Sequence, residues 1–252
     1  SFFGDSPDDL SDHDEDDFDG IWTTLIERIK GYPAYMQMFA AAYPGVDPAD
    51  YHFAHAANAI AAFETAAFGC SESAFERFVE GDNEAMTELE LQGANEFFGA
   101  GRCSECHSGN TFTDNAHHNT GLAQFGPGKG DGTLGNDDFG REQVTGDAAD
   151  RYSFRTPTLL SVGLSAPFGH VGQYATLESF LDHYKDVTAR LNVYDVTAHV
   201  NDIELHPLFV ENRAAVLATL SDKLTAPLDF DVAAMAAFVH CLTADEAADF
   251  DQ

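Results

Sequence analysis

The sequence is poor in basic residues. Its 252 residues include only 12 lysines and arginines against 43 aspartates and glutamates, so the formal net charge at pH 7 is −31. Such a charge repels phosphate backbones and anionic lipid headgroups, which excludes nucleic acid and anionic membrane surfaces as partners. The chain also lacks any apolar run near the roughly 20 residues that a membrane-spanning helix needs. Its 44% hydrophobic residues are enough for a globular core.

The acidic residues are distributed in two ways. Residues 5–19 hold nine acids and no lysine or arginine, which predicts an acidic tail or linker over residues 1–20. Elsewhere the acids are dispersed along the chain, and only four lysines occur in it. This dispersion favours a solvated, halophilic surface adapted to concentrated salt. The alternative is a docking face for a basic redox partner.

If the acidic surface is an adaptation to salt, the melting temperature should rise from low to molar salt. The Debye length falls from about 10 Å at 0.1 M to about 3 Å at 1 M, so added ions weaken the repulsion among surface carboxylates. Scanning calorimetry over this range of salt measures the effect. A melting temperature that stays flat or falls supports the docking face instead.

Cysteine is scarce as well, and its placement carries the strongest functional signal. Cys103 and Cys106 stand two residues apart, and His107 follows directly. In such a run the two thiols can add to the vinyl groups of one porphyrin while the imidazole binds its iron. A zinc site would need further ligands, which His117 and His118 could supply. A thiol–disulfide motif would follow a strand, whereas the segment before this run has a helical pattern. The spacing therefore favours one covalent haem c, with zinc as the alternative.

The other two cysteines, Cys70 and Cys241, stand alone. Covalent haem attachment takes place outside the cytoplasm, so we expect a mature, exported chain in the periplasm or the extracellular space. Each of the two lone cysteines lies at or near the end of a predicted helix. In an oxidising compartment they could form a disulfide, with two buried free thiols as the alternative.

Hydrophobic periodicity predicts a mainly α fold with few short strands. The first helix is expected at 21–29, and a second, short helix is expected to end near residue 42. Two more helices are expected to begin at Asp50 and at Thr87. The last two are expected at 176–184 and from 229 or 231 to about 241. In the third of these, Phe53, Ile60 and Phe63 are expected on the buried face. The best strand signal is at 158–162. Residues 108–151 show no period, which predicts a long loop that wraps the edge of the haem.

Several stretches resemble bacterial dihaem cytochrome c peroxidases, a family that includes the dihaem enzyme that matures the cofactor of methylamine dehydrogenase. "LQGANEFFGAGRCSECHSGNTFTDNAHHNTGL" and "GREQVTGDAADRYSFRTPTLLSVGLSAPFGHVGQYATLESFLDHY" are similar to the C-terminal haem domain of the family. "IKGYPAYMQMFAAAYPG" and "FAHAANAIAAFETAAF" are similar to the segment that joins its two haem domains. The resemblance implies a cytochrome c-like haem domain over residues 21–252. The N-terminal haem domain of the family is expected to lie outside this chain.

The resemblance also implies a function. We expect the electron-transfer half of a cytochrome c peroxidase-like oxidoreductase that acts on peroxide. Its haem would relay electrons from a small electron-donor protein to a peroxide-reducing haem, carried by a second haem domain or haem polypeptide. The alternative is a non-catalytic, single-haem electron carrier docked in a larger redox complex.

The resemblance places the sixth iron ligand near the end of the helix at 176–184. Relatives present methionine or tyrosine there, and the matching residue in this chain is Tyr184. Its neighbour His183 is the alternative, because imidazole is a common haem ligand. We expect Tyr184 and His107 on opposite faces of the iron.

Four further residues are implied at the site. His170 is expected close to the haem, and Arg155 is expected to pair with a haem propionate, since its planar guanidinium suits a carboxylate. Ser165 and Pro167 match positions whose backbone carbonyls help to hold a calcium ion in the family. Calcium is therefore the second expected cofactor.

Overall fold

The computed structural model describes residues 10, 13–14, 17–68, 73–125, 129–132, 135, 137–195 and 206–244. Within them the fold is mainly α, as predicted, and has a single sheet of two strands. The chain divides into two compact units, Ser1–Gly69 and Cys70–Gln252. Most of the predicted acidic tail lies outside the described residues and stays a prediction. No helix in the described ranges combines the length and the apolar character that a bilayer crossing requires.

The first unit contains three helices, α1 (Phe18–Lys30), α2 (Pro33–Ala42) and α3 (Phe53–Phe68). Asp17 caps α1 by accepting a hydrogen bond from the N–H of Gly20. Pro33 opens α2, where its missing N–H costs no helical hydrogen bond. The buried core of this unit consists of Ile26, Phe39, Tyr51 and Ala56.

Two expectations for α3 are wrong. Asp50 ends a short 3₁₀ turn, and the helix begins three residues later, at Phe53. Ile60 is 55% exposed and Phe63 is 59% exposed, so neither lies on a buried face. Alanines occur on every side of α3, and its apolar pattern therefore does not mark which side is buried.

The second unit holds the remaining described helices and the sheet. The helices are α4 (Ala74–Val79), α5 (Glu88–Phe98), α6 (Glu142–Thr145), α7 (Leu177–Lys185), α8 (Val187–Val193), α9 (His206–Ala218) and α10 (Val232–His240). Strands β1 (His117–His118) and β2 (Phe154–Arg155) pair antiparallel, with His117 opposite Arg155. The predicted caps Thr87, Thr176 and Asp231 each accept a hydrogen bond from a backbone N–H of the first turn.

Helices α5 and α10 cross in the core of this unit at a glycine. Gly93 is buried, and a Cβ at this position would collide with the carbonyl oxygen of Ala234. The close approach lets Phe97 and Phe238 pack with their ring centroids 5.0 Å apart. The same core supports the chain that follows α5, where the Cys-x-x-Cys-His run begins.

The strand expected at 158–162 is absent from the structure, and that prediction is wrong. Leu159 and Leu160 lie in a loop that leads into the 3₁₀ turn Val162–Leu164. Both leucines pack against the core, so their apolar character reflects burial and not strand pairing. The described parts of 108–151 are mostly loop, as predicted, and contain only β1, α6 and a short 3₁₀ turn.

Candidate haem site

The second unit contains a cavity of about 450 Å³, within the range of about 300–1,000 Å³ found for cofactor pockets. Apolar side chains from α7, α10 and the loops between them form much of its wall. The structure brings together here all the residues predicted to bind a cofactor except the alternative iron ligand: Cys103, Cys106, His107, Arg155, Ser165, Pro167, His170 and Tyr184.

A tight turn places the two thiols on one wall of the cavity. Cys103 begins the 3₁₀ turn Cys103–Glu105, and its carbonyl accepts a hydrogen bond from the N–H of His107 at 2.9 Å. Burial raises the pKa of Cys103 to about 12 and also raises the pKa of Cys106. Burial thus favours the neutral thiol form of both side chains.

The imidazole of His107 is oriented for metal binding. Its Nδ1 donates a hydrogen bond to the carbonyl of Phe112 at 2.9 Å, which leaves the lone pair on Nε2. Burial lowers the pKa of His107, so the ring is held in the neutral form that binds metals.

The two candidates for the sixth ligand differ sharply in their surroundings. Tyr184 lines the cavity, whereas His183 is 1% exposed and lies outside it. The ring nitrogens of His183 are both engaged, Nδ1 with the hydroxyl of Tyr174 and Nε2 with the carbonyl of Thr120, each at 3.0 Å. This geometry favours Tyr184 over His183, which is fixed as a structural residue of the core. Burial raises the pKa of Tyr184, so its phenolate would need a cation beside it.

The structure also brings three potential zinc ligands close together. Donor atoms of Cys106, Asp114 and His118 lie within 4.8 Å of one another, while His117 is not part of the group. However, the ammonium of Lys223 lies 3.4 Å from the sulfur of Cys106 and 3.8 Å from Asp114. This lysine already balances the carboxylate, so the group is poorly suited to a divalent cation. Two thiols, a neutral imidazole and apolar walls fit a covalent haem better.

The comparisons with known proteins identify relatives whose names point to haem chemistry. The profile of the family described as "Di-haem cytochrome c peroxidase" matches residues 9–84. The methylamine utilization protein MauG of Methylorubrum extorquens is 34% identical over 160 residues, which cover 64% of this chain and 42% of the relative. The cytochrome c551 peroxidase of Pseudomonas aeruginosa is 33% identical over 201 residues, covering 79% of this chain and 53% of that one.

A solved structure extends the likeness to the fold. It is that of a MauG-like protein associated with microbial copper homeostasis, which is 27% identical to this chain, with a TM-score of 0.65. The match covers 90% of this chain and 63% of that one. The chain belongs to the bacterial dihaem cytochrome c peroxidase family.

The chain spans about half the length of the curated dihaem peroxidase relatives that it matches. The segment matched by the family profile ends before Cys103, so it does not include the haem motif. The family profile and the haem motif therefore support the assignment from different parts of the chain.

Two predictions are not tested by the structure, the calcium site and the disulfide. Ser165 and Pro167 line the cavity, and calcium binding by their backbone carbonyls stays a prediction. Cys241 is buried, but Cys70 lies outside the described residues, so the disulfide also stays a prediction.

Sequence reasoning missed two charged residues at the site of this chain, Asp138 and Lys223. Asp138 contacts His170, and Lys223 lines the cavity beside the haem motif. Asp138 is one of 43 acids in the chain, and Lys223 follows the motif by more than 100 residues. Neither had a local signal that could have marked it.

Proposed function

We propose that this chain binds one haem c and serves as the electron-transfer half of a cytochrome c peroxidase-like oxidoreductase. Cys103 and Cys106 would attach the haem, with His107 and Tyr184 as the two iron ligands. The observation that carries the proposal is that Tyr184 lines the same cavity as His107, while both ring nitrogens of His183 are engaged elsewhere.

The pair of ligands determines which half-reaction the chain supports. A bound haem supplies reversible one-electron chemistry at its iron. If His107 and Tyr184 both held the iron, no position would be open to peroxide, and the site would exchange electrons without reducing peroxide itself. Electrons would come from a small electron-donor protein and pass to a peroxide-reducing haem on a second haem domain or haem polypeptide. The names of the relatives as peroxidases support this direction of flow.

Other expectations follow from the same proposal. Arg155 is exposed at the cavity and suits a haem propionate, although its guanidinium already donates to Asn115 at 2.9 Å. Ser165 and Pro167 would contribute to a calcium site. A chain with covalently attached haem would work in the periplasm or the extracellular space.

Replacing Tyr184 with phenylalanine should remove one iron ligand. We expect the ferric absorption spectrum to change from a six-coordinate form to a five-coordinate or water-bound form, and we expect cyanide binding to appear. The reduction potential should rise, because an anionic phenolate stabilises ferric iron. Tyr194→Phe is the matched control, since it removes a tyrosine hydroxyl that donates to the carbonyl of Gln173 instead. An unchanged spectrum in Tyr184→Phe would show that the ligand has been assigned wrongly.

The relay role is tested by mixing the reduced holo-protein with hydrogen peroxide in a stopped-flow instrument. The wild-type chain alone should be oxidised slowly, and Tyr184→Phe faster. Rapid oxidation of the wild-type chain alone would refute the relay role. In the assembly purified from its source, rapid oxidation together with a copurifying second haem polypeptide supports the peroxidase. An assembly that peroxide does not oxidise supports the non-catalytic electron carrier.

A further inference from the structure

A carboxylate–histidine pair, Asp138 and His170, lies at the cavity, and electron transfer alone assigns no function to it. The imidazole of His170 lines the cavity and stacks on Phe154, with ring centroids 3.8 Å apart. Its Nε2 lies 3.0 Å from Oδ2 of Asp138, where the nitrogen donates and the carboxylate accepts. The side chain of His170 is 28% exposed and that of Asp138 is 13% exposed. The ring therefore has access to solvent, while its carboxylate partner is mostly buried.

Asp138 is held in place by groups other than His170. Its Oδ1 accepts a hydrogen bond from the N–H of Gly140 at 2.9 Å, and its own N–H donates to the side chain of Gln124 at 3.2 Å. In the described part of the chain no lysine or arginine forms an ion pair with this carboxylate. The carboxylate is therefore fixed by backbone groups and faces the ring of His170, and within the described residues no lysine or arginine competes for it.

The ion pairs of the other charged or titratable groups around the cavity differ from the pair of His170 and Asp138. Besides the two cysteines, His107 and Tyr184, they are Arg102, Glu105, His118, Arg155 and Lys223. His118 also has a carboxylate partner, since its Nε2 lies 2.9 Å from Oδ2 of Asp114. The ammonium of Lys223, however, lies 3.8 Å from the same oxygen. Arg155 follows Phe154 on β2 and is the cation on the element against which His170 stacks. The negative charge of Asp114 is shared with a lysine, whereas that of Asp138 is left to His170.

We propose that His170 takes up a proton when the haem of this cavity gains an electron, and that Asp138 positions the ring for this role. One electron arrives from the donor protein, and one proton from water binds Nδ1 of His170, because Nε2 already donates to Asp138. On oxidation His170 returns the proton to water. Histidine changes its charge between about pH 5 and 8, which is the range in which such coupling is useful. The inference rests on the proposed relay function, since it requires haem in the cavity.

The test is the reduction potential of the holo-protein, measured by spectroelectrochemical titration between pH 5 and 9. In the wild type the equilibrium constant for reduction should fall about tenfold per pH unit over part of this range, which is about 59 mV per unit for a one-electron couple. His170→Gln keeps a hydrogen-bonding group beside Asp138 but cannot take up the proton, so its curve should be flat. Asp138→Asn should shift the curve, because the ring loses the carboxylate that positions it.

His118→Gln is the matched control, because it removes a second carboxylate-paired histidine from the same cavity. Its curve should keep the wild-type slope. A flat wild-type curve overturns the proposal, and so does a slope that persists in His170→Gln, which would place the proton on another group such as a haem carboxylate. If His170→Gln fails to bind haem, Asp138→Asn decides, and an unshifted curve counts against the proposal. A purified wild-type chain without haem would instead refute the relay function itself.

Discussion

Replacing both Cys103 and Cys106 with alanine should abolish the covalent attachment of haem. Each thiol is expected to form one thioether bond, so the double variant could hold haem only through coordination and contacts with the cavity wall. On a denaturing gel stained for haem, the wild-type band should be positive and the variant band negative. Each single variant should keep one thioether and part of the stain.

Cys241→Ala is the control for this experiment, because this cysteine is buried in the core outside the motif. It should stain like the wild type. If acidified organic solvent extracts the pigment freely from the wild-type chain, the covalent haem is refuted. Stoichiometric zinc in a chain without pigment would support the group formed by Cys106, Asp114 and His118.

Replacing Gly93 with alanine should strongly destabilise the second unit. The added methyl would collide with the carbonyl oxygen of Ala234 and would lie 2.8 Å from Cβ of Phe238. A backbone carbonyl cannot turn away as a flexible side chain does, so helices α5 and α10 would have to separate. Overpacking in a core typically costs about 1–3 kcal/mol, and we expect the upper end of this range or more. Urea denaturation of the holo-protein, followed by circular dichroism, measures the loss.

Gln92→Ala is the control on the neighbouring, exposed position of α5, and we expect a change within about 0.5 kcal/mol there. If Gly93→Ala is as stable as this control, the close crossing of α5 and α10 does not exist in solution. We also expect Gly93→Ala to lower the yield of haem-loaded protein, because α5 leads directly into the haem motif.

Local signals predicted the helices well where capping chemistry marks their starts. Thr87, Thr176 and Asp231 are predictable as caps, with Asp229 as the alternative to Asp231, because a short polar side chain just before a helix satisfies free N–H groups of the first turn. The same kind of signal misled at Asp50, which closes a 3₁₀ turn. A capping residue shows that a turn begins, but it does not show how long the helix continues.

The predictions were wrong or open where the outcome depends on contacts between residues that are far apart in the sequence. Leu159 and Leu160 look like a strand because burial and strand pairing favour the same apolar residues. The choice between His183 and Tyr184 depends on Thr120, whose carbonyl accepts from the histidine ring, and on Tyr174, whose hydroxyl bonds its other nitrogen. Thr120 is 63 residues away along the chain, and no pattern within α7 reveals it. The haem motif, in contrast, is read from five consecutive residues.

The start of α7 determines which side chain at the far end of the helix faces the cavity. Thr176 sets the first turn, and the eighth residue after it, Tyr184, faces the cavity. One residue added between them would turn the end of the helix by about 100° and carry His183 into the place of Tyr184. The iron would then meet an imidazole instead of a phenolate, although no ligand had been substituted. If Tyr184 binds the iron as proposed, a one-residue insertion in α7 would thus exchange the iron ligand and raise the reduction potential, even though every original side chain is kept.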